Sequence, residues 1–202
     1  MTAVAIIGAG PLGRWLALGA ARAGFRVLLE DVMPGNVHHA HESIRQELGP
    51  QALPAVTFAS SIEDAVRDVD LVIDCVPDEL ESKLEILWLV DRMAPPRTVI
   101  ATSTANLSIA DLASCTNRPE KCIAIAASPQ DLTAGSGVPG DRPLSPGWGS
   151  GVPSDRSLSL GCGACPDLLL RTAPATSDQT ADLVSDFFRQ LGFRPVIERS
   201  SA

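Results

Sequence analysis

The sequence predicts an α/β fold, in which helices cover both faces of a doubly wound, mostly parallel sheet. Short apolar runs alternate with helix-like stretches over roughly the first 125 residues, as expected for parallel strands joined by crossover helices. The first run, Val4–Ile7, is continuously apolar, which is typical of a strand buried on both faces. Glycine and proline stand at the ends of many of these stretches, where they stop helices and form turns.

The elements follow in order from these signals. The predicted strands are Val4–Ile7, Arg26–Glu30, Val56–Ala59, Asp70–Val76, Thr98–Ala101, Cys122–Ala126, Leu168–Arg171 and Arg194–Ile197. The predicted helices are Leu12–Ala23, Asn36–Leu48, a short helix opened by a Ser61-x-x-Asp64 capping box, Ser82–Met93, Ser108–Ser114 and Ser177–Leu191. Gly24, Gly49 and Pro95 end the first, second and fourth of these helices.

Residues 130–166 interrupt this pattern with a segment rich in glycine, proline and serine. Within it, GSGVPGDRPLS at Gly135–Ser145 recurs as GSGVPSDRSLS at Gly149–Ser159. A unit of this length is too short to form a repeat with its own core, and it offers few apolar residues to offset the entropy of ordering. We therefore predict one domain over residues 1–202 that carries a flexible insertion; a tandem ligand motif for a partner is the alternative.

The composition limits the classes of partner. The net charge is −8 and the sequence pI is about 4.8, without a basic run, so neither nucleic acid nor an anionic membrane surface is an expected partner. No apolar run reaches the length of a membrane-spanning helix. The chain starts without a signal-peptide pattern and has five cysteines, an odd number, which favours reduced thiols and a cytoplasmic location.

Gly8, Gly10 and Gly13 form a G-x-G-x-x-G motif between the first strand and the first helix. In this context the motif predicts a Rossmann-type dinucleotide site, with Pro11 and Leu12 at the helix N-terminus that receives the pyrophosphate. Asp31 follows Gly13 by 18 residues, close to the position of a carboxylate that binds the adenosine ribose. Because a carboxylate repels a 2′-phosphate, we predict NAD as the cofactor; Glu30 could share or take the ribose-binding role.

These segments resemble the NAD-binding domain of 3-hydroxyacyl-CoA dehydrogenases. The matching features are VAIIGAGPLG, LLEDV, DLVIDCVPDELESK, ATSTANLSI and RTAPATSDQTADLVSDFFRQLGFRPV. The resemblance implies hydride transfer between NAD and a 3-hydroxyacyl-CoA, in fatty acid metabolism. It also implies that Asp78 and Lys83 line the nicotinamide end of the site, with the loop Thr102–Leu107 beside them; a solvated helix start is the alternative for Asp78 and Lys83.

The sequence departs from that family where the chemistry takes place. Ala126 occupies the position of the catalytic histidine, and Leu169, within Leu168–Leu170, that of the glutamate that orients it. Ala105 replaces the serine that helps bind the substrate carbonyl. The chain ends at Ala202, where the family continues into a helical domain. We therefore expect the isolated chain to lack activity without a partner chain; the alternative function is a non-catalytic NAD-binding sensor or assembly subunit.

Three other sets of side chains have the chemistry of a metal, redox or catalytic site. His38 and His41 share one helix face and could bind a metal weakly, although a solvated helix start is favoured and no metal site is predicted. Cys162 and Cys165 have C-x-x-C spacing, which zinc sites and thiol redox pairs use. However, no second C-x-x-C completes a zinc set. Asp74 falls inside a buried strand, where we expect a structural role with a backbone partner.

Overall fold

The computed structural model describes residues 3–49, 55–126 and 165–199. They form an eight-stranded sheet with the strand order β3-β2-β1-β4-β5-β6-β7-β8. Every neighbouring pair is parallel except β6 and β7, which run antiparallel. The doubly wound, mostly parallel α/β fold that the sequence predicts is therefore confirmed.

The bounds of the elements agree with the prediction to within a few residues. The strands are Ala3–Ile7 (β1), Arg26–Glu30 (β2), Val56–Phe58 (β3), Leu71–Asp74 (β4), Val99–Ser103 (β5), Cys122–Ile125 (β6), Asp167–Thr172 (β7) and Arg194–Arg199 (β8). The helices are Pro11–Arg22 (α1), Pro34–Leu48 (α2), Ile62–Val66 (α3), Leu80–Met93 (α4), Ile109–Ser114 (α5) and Asp178–Gln190 (α6).

The helix starts follow local chemistry. Proline is the first residue of α1 and α2, because its fixed φ suits a helix and it has no N–H that would go unbonded there. For this reason α2 begins two residues before the predicted start at Asn36. Ser61 caps α3 by accepting a hydrogen bond from the Asp64 amide, as the capping box predicts.

Two apolar clusters lie on opposite faces of the sheet. Helices α1, α2 and α6 cover one face, where Leu16 and Phe187 are fully buried. Helices α3, α4 and α5 cover the other, with Val90 and Leu112 in its centre. Because side chains alternate along a strand, the continuously apolar β1 supplies residues to both clusters. The carboxyl ends of the parallel strands stay uncovered and carry the loops of the candidate site.

Several sequence predictions concern residues outside the described ranges. These are the repeat at 135–159, Cys162 and all of the predicted insertion except its last two residues, 165–166. Cys165 itself is exposed. Across residues 3–49, 55–126 and 165–199, no helix has the length and apolar character that crossing a membrane requires.

Candidate cofactor site

A cavity of about 550 Å³ opens at the carboxyl ends of β1, β2, β4 and β5. Strand β1 lies between β2 and β4. The strand order therefore runs outward from β1 to β2 and β3 on one side, and from β4 to β5 on the other. Such a switch point is where open α/β sheets bind ligands. The loop that carries Gly8, Gly10 and Gly13, called the glycine loop below, lines the cavity together with Asp31. Asp78 and Ala105 line it from the loops after β4 and β5.

Each of the three glycines in the glycine loop is needed for a different structural reason. Gly8 has a φ of 101°, and a Cβ on it would meet the Cys75 carbonyl carbon at 3.0 Å. A Cβ on Gly13 would lie 1.8 Å from the Gly8 carbonyl oxygen. At Gly10, by contrast, nothing in the described part of the chain beyond its own neighbours lies within 4 Å of the position that a Cβ would take. The protein's own packing therefore requires Gly8 and Gly13, while Gly10 leaves open space over the backbone, as a pyrophosphate cradle needs.

The N-terminus of α1 faces this space. Gly10 is its N-cap and provides no capping side chain, and the first turn has no acidic residue. Pro11 and Leu12 both line the cavity. A helix N-terminus of this kind presents amide groups and a partial positive charge to an anion. The residues present therefore fit a dinucleotide pyrophosphate.

Asp31 stands at the tip of β2 and is held by three donors. Its Oδ2 accepts hydrogen bonds from the Ala9 amide at 2.7 Å and from Asn36 Nδ2 at 3.0 Å. Its Oδ1 accepts one from the Met33 amide at 2.7 Å. A carboxylate has about four acceptor positions, so Asp31 retains capacity for a ribose hydroxyl. The sequence did not point to Asn36 as a residue of this site, although its place in the first turn of α2 brings it to Asp31.

Asp78 joins the two loops at the opposite end of the cavity. Its Oδ2 accepts hydrogen bonds from the Ala105 amide at 3.1 Å and from the amide and side chain of Asn106 at 3.3 and 3.4 Å. Asp78 is exposed and lines the cavity together with both of these residues. It therefore fixes the position of the loop after β5 relative to the loop after β4.

Lys83 lies beneath the cavity, although the resemblance implies that it lines the nicotinamide end. Its side chain is fully buried, with Nζ 3.0 Å from Asp74 Oδ2 and 3.2 Å from the Val76 carbonyl oxygen. Asp74 also accepts hydrogen bonds from the Val76 amide at 2.9 Å and from Thr102 Oγ1 at 2.7 Å. The buried carboxylate of Asp74 needs a counter-charge, and Lys83 provides it. The expected backbone partner of Asp74 is the Val76 amide.

Main-chain hydrogen bonds connect the loop after β5 with the end of β6, and the end of β6 with β7. The Thr104 amide donates to the Ile125 carbonyl at 3.1 Å, and the Ala126 amide donates to the Leu169 carbonyl at 2.9 Å. Ala126 is therefore paired with Leu169 of β7, and Ala105 follows the residue that is bonded to the end of β6. Of these three residues, Ala105 lines the cavity. The side chains at all three positions are hydrocarbon groups, which neither exchange protons nor form hydrogen bonds.

The histidines lie elsewhere. All three histidines of the chain, His38, His39 and His41, are on α2, which follows the strand that carries Asp31. His41 packs against Phe58 with ring centroids 5.4 Å apart. Within the described residues, no three side chains of the metal-ligating types are grouped closely enough to hold an ion.

Comparison with known proteins supports the same type of site. The model of the 3-hydroxyacyl-CoA dehydrogenase NAD-binding domain matches residues 3–126, more than half of the chain. A probable 3-hydroxybutyryl-CoA dehydrogenase of Bacillus subtilis (strain 168) is 29% identical over 133 residues, covering 59% of this chain and 46% of that protein. An L-carnitine dehydrogenase of Oceanobacillus iheyensis is 35% identical over 134 residues, covering 61% of this chain and 43% of that protein.

Solved structures share the fold. The 3-hydroxyacyl-CoA dehydrogenase of Archaeoglobus fulgidus aligns with a TM-score of 0.73 and 22% identity, covering 100% of this chain and 58% of that one. The (S)-3-hydroxybutyryl-CoA dehydrogenase of Ralstonia eutropha gives 0.74 and 21%, covering 100% of this chain and 64% of that one. The alignments with the two curated relatives extend over less than half of those proteins.

The glycine loop, Asp31 and the parallel sheet all lie within the matched residues, and the match confirms NAD as the predicted cofactor. This chain belongs to the family of the 3-hydroxyacyl-CoA dehydrogenase NAD-binding domain.

Proposed function

We propose that this chain binds NAD(H) in the cavity at the ends of β1, β2, β4 and β5, and that it does not by itself complete the family's hydride-transfer reaction. The observation that carries this proposal is the lining of the cavity, in which the glycine loop and Asp31 provide a cofactor cradle while Ala105 places a hydrocarbon side chain beside Asp78. The cofactor cradle is present, while the side chains that would exchange a proton with the substrate are replaced by hydrocarbon groups.

The proton balance of the reaction explains why these replacements matter. Bound NAD would supply the hydride acceptor for C3 of a 3-hydroxyacyl-CoA. Oxidation would also require that the hydroxyl proton of the substrate pass to a base of the protein. The residue at position 126 would supply the base and the one at 169 would orient it, but Ala126 and Leu169 can do neither. The chain's histidines are all on α2, which follows β2 at the adenosine end.

Two roles are compatible with this arrangement. In the first, a partner chain supplies the acid and base together with the walls of an acyl-CoA cleft. In the second, the chain is a non-catalytic sensor or assembly subunit that responds to NAD(H). The relatives are named for 3-hydroxybutyryl-CoA and for L-carnitine, so the shared domain does not define the substrate. The single domain over residues 1–202, the cytoplasmic location and the link to fatty acid metabolism stay predictions from the sequence.

Calorimetric titration and a spectrophotometric assay test both halves of the proposal. We expect NADH to bind the wild-type chain, and NADPH to bind more weakly because Asp31 repels a 2′-phosphate. We expect no oxidation of NADH by acetoacetyl-CoA above the rate of a Gly10→Val control, whose side chain occupies the cradle. Absence of NADH binding at millimolar concentration would refute the cofactor site. Turnover well above that of the control would refute the non-catalytic assignment.

A further inference from the structure

Glu30 is the last residue of β2, and its side chain is buried without a hydrogen-bond partner among the residues that the structure describes. The residue is 5% exposed, lies opposite Ile7 of β1 and lines the cavity. Within the described ranges, no donor or cation forms a hydrogen bond or ion pair with its side chain. Burial of the carboxyl group, together with the charge of Asp31, raises the pKa of Glu30. Because an unbonded buried polar group costs free energy, a ligand that brings a donor would remove this cost.

The side chains of Glu30 and Asp31 point toward opposite faces of the sheet, because successive side chains of a strand alternate. Asp31 points toward the glycine loop and α2, where it bonds the Ala9 amide and Asn36. Leu28, two residues before Glu30, packs with the cluster on the other face, and Glu30 points the same way. The two acids at the end of β2 can therefore contact different parts of one ligand.

The cavity wall on the same face of the sheet as Glu30 is apolar, and we refer to it as the slot. Ile7 from β1, Val76 from the loop after β4 and Ile86 from α4 line the cavity and belong to the same face of the sheet as Glu30. Apolar walls with one polar group suit a flat ring that has a hydrogen-bond donor on its edge. In NAD the adenine ring follows the adenosine ribose, which the site places at Asp31. The slot is thus the place that the chain offers to the adenine.

We propose that the Glu30 carboxyl group accepts a hydrogen bond from the 6-amino group of the adenine of NAD(H), and so selects adenine over bases with oxygen at that position. This inference rests on the proposed NAD(H) site. An ionised carboxylate accepts hydrogen bonds and cannot donate one, whereas a protonated carboxyl group could also donate to an oxygen at C6. The selection therefore requires Glu30 to be ionised in the complex, a state that the hydrogen bond from the amino group favours. A base with a carbonyl oxygen at C6 would instead bring an acceptor against an acceptor.

Calorimetry with two dinucleotides tests this assignment. The first is NADH, and the second is reduced nicotinamide hypoxanthine dinucleotide, in which a carbonyl oxygen replaces the 6-amino group. We expect the wild-type chain to bind NADH about ten- to a hundredfold more tightly, as expected for a hydrogen bond to a carboxylate. Glu30→Gln should lose most of the preference, because its amide can present an acceptor oxygen to the 6-amino group or an NH2 donor to the carbonyl oxygen. Glu30→Val should reduce the preference to within about twofold, mainly by weakening NADH binding. Since Glu30→Val removes an unbonded carboxyl from apolar surroundings, we expect it to fold.

Ile86→Val is the matched control. It trims an apolar wall of the same slot and should weaken both dinucleotides by the same factor, so that the preference stays as in the wild type. An equal preference in the wild type and in Glu30→Val would overturn the role of Glu30, even if NADH binds well. Failure of the wild type to bind either dinucleotide would instead refute the proposed NAD(H) site. The two failures are therefore distinct.

Discussion

Alanine substitutions at Gly10 and Gly13 should separate the binding of the cofactor from the stability of the fold. The two glycines belong to one motif, but a Cβ on Gly13 would lie 1.8 Å from the Gly8 carbonyl oxygen, whereas a Cβ on Gly10 meets no atom within 4 Å. We therefore expect Gly13→Ala to destabilise the free protein. Gly10→Ala should leave the free protein intact and weaken the binding of NADH.

The magnitudes follow from these distances. At Gly13, the carbonyl oxygen and the new Cβ both belong to the backbone framework, so α1 or the glycine loop must shift by more than about 1 Å to reach ordinary contact. Overpacking of this kind costs about 1–3 kcal/mol, and we expect a value near 3. For a chain of this size that corresponds to a fall in Tm of about 6–12 °C.

Gly10 is different because its φ of −64° suits any residue. Alanine is a poorer N-cap than glycine, but it also restricts the unfolded chain, which stabilises by about 0.4–1 kcal/mol. These effects oppose each other, so we expect Tm to change by less than about 3 °C. The methyl group would occupy the space that the pyrophosphate needs, and we expect NADH to bind at least about tenfold more weakly, or about 1.4 kcal/mol.

Thermal denaturation and calorimetry with NADH measure the two effects. Gly35→Ala in the first turn of α2 is the matched control, because its Cβ also meets nothing within 4 Å and Gly35 does not line the cavity. It should leave NADH binding unchanged. A loss of Tm in Gly10→Ala as large as that in Gly13→Ala would refute the assigned roles. NADH binding by Gly10→Ala with wild-type affinity would show that the cofactor does not approach this backbone.

The remaining predictions concern buried charges. Lys83→Met leaves Asp74 without its counter-charge and should lower the free energy of unfolding, measured in urea, by about 3–5 kcal/mol. Adding Asp74→Asn to this variant should restore part of the loss. A loss below about 1 kcal/mol in Lys83→Met would contradict the buried pair. Arg118→Ala removes a guanidinium bonded to the Asp91 carboxylate and to main-chain carbonyls at the end of α4. This substitution should lower the free energy of unfolding by about 3 kcal/mol. A loss below about 1 kcal/mol, as for an exposed ion pair, would contradict the structural role of Arg118. The raised pKa of Glu30 means that its ionisation opposes folding, so stability is lost as pH rises from the ordinary glutamate pKa of about 4.3 through the raised value. The gain in Tm of Glu30→Gln over the wild type should therefore grow between pH 4 and pH 7, and a difference independent of pH would contradict the shift.

Most of the fold could be predicted from the sequence because its signals are local. Continuous apolar runs such as Val4–Ile7 identify buried parallel strands, and Gly24 and Ser61 mark helix ends through backbone conformation and capping. The exact start of α2 at Pro34 was missed by two residues, since Met33 and Pro34 have no polar cap to mark the boundary. The antiparallel direction of β7 relative to β6 is a property of pairing between distant segments, which local patterns do not record.

By itself, the sequence determined the cofactor, and it motivated the proposal that the family's proton-exchanging groups are replaced. The glycine spacing and Asp31 define a dinucleotide cradle through short-range geometry, and the identity of Ala105, Ala126 and Leu169 limits what those positions can do. Only the tertiary structure decided that Ala126 pairs with Leu169 and that the Lys83 ammonium pairs with the buried Asp74 carboxylate. It also showed that the Glu30 carboxyl group has no hydrogen-bond donor among the residues that the structure describes. These outcomes depend on which strands are neighbours and on which face each side chain lies. Contacts between residues far apart in the chain fix both, and no local pattern records them.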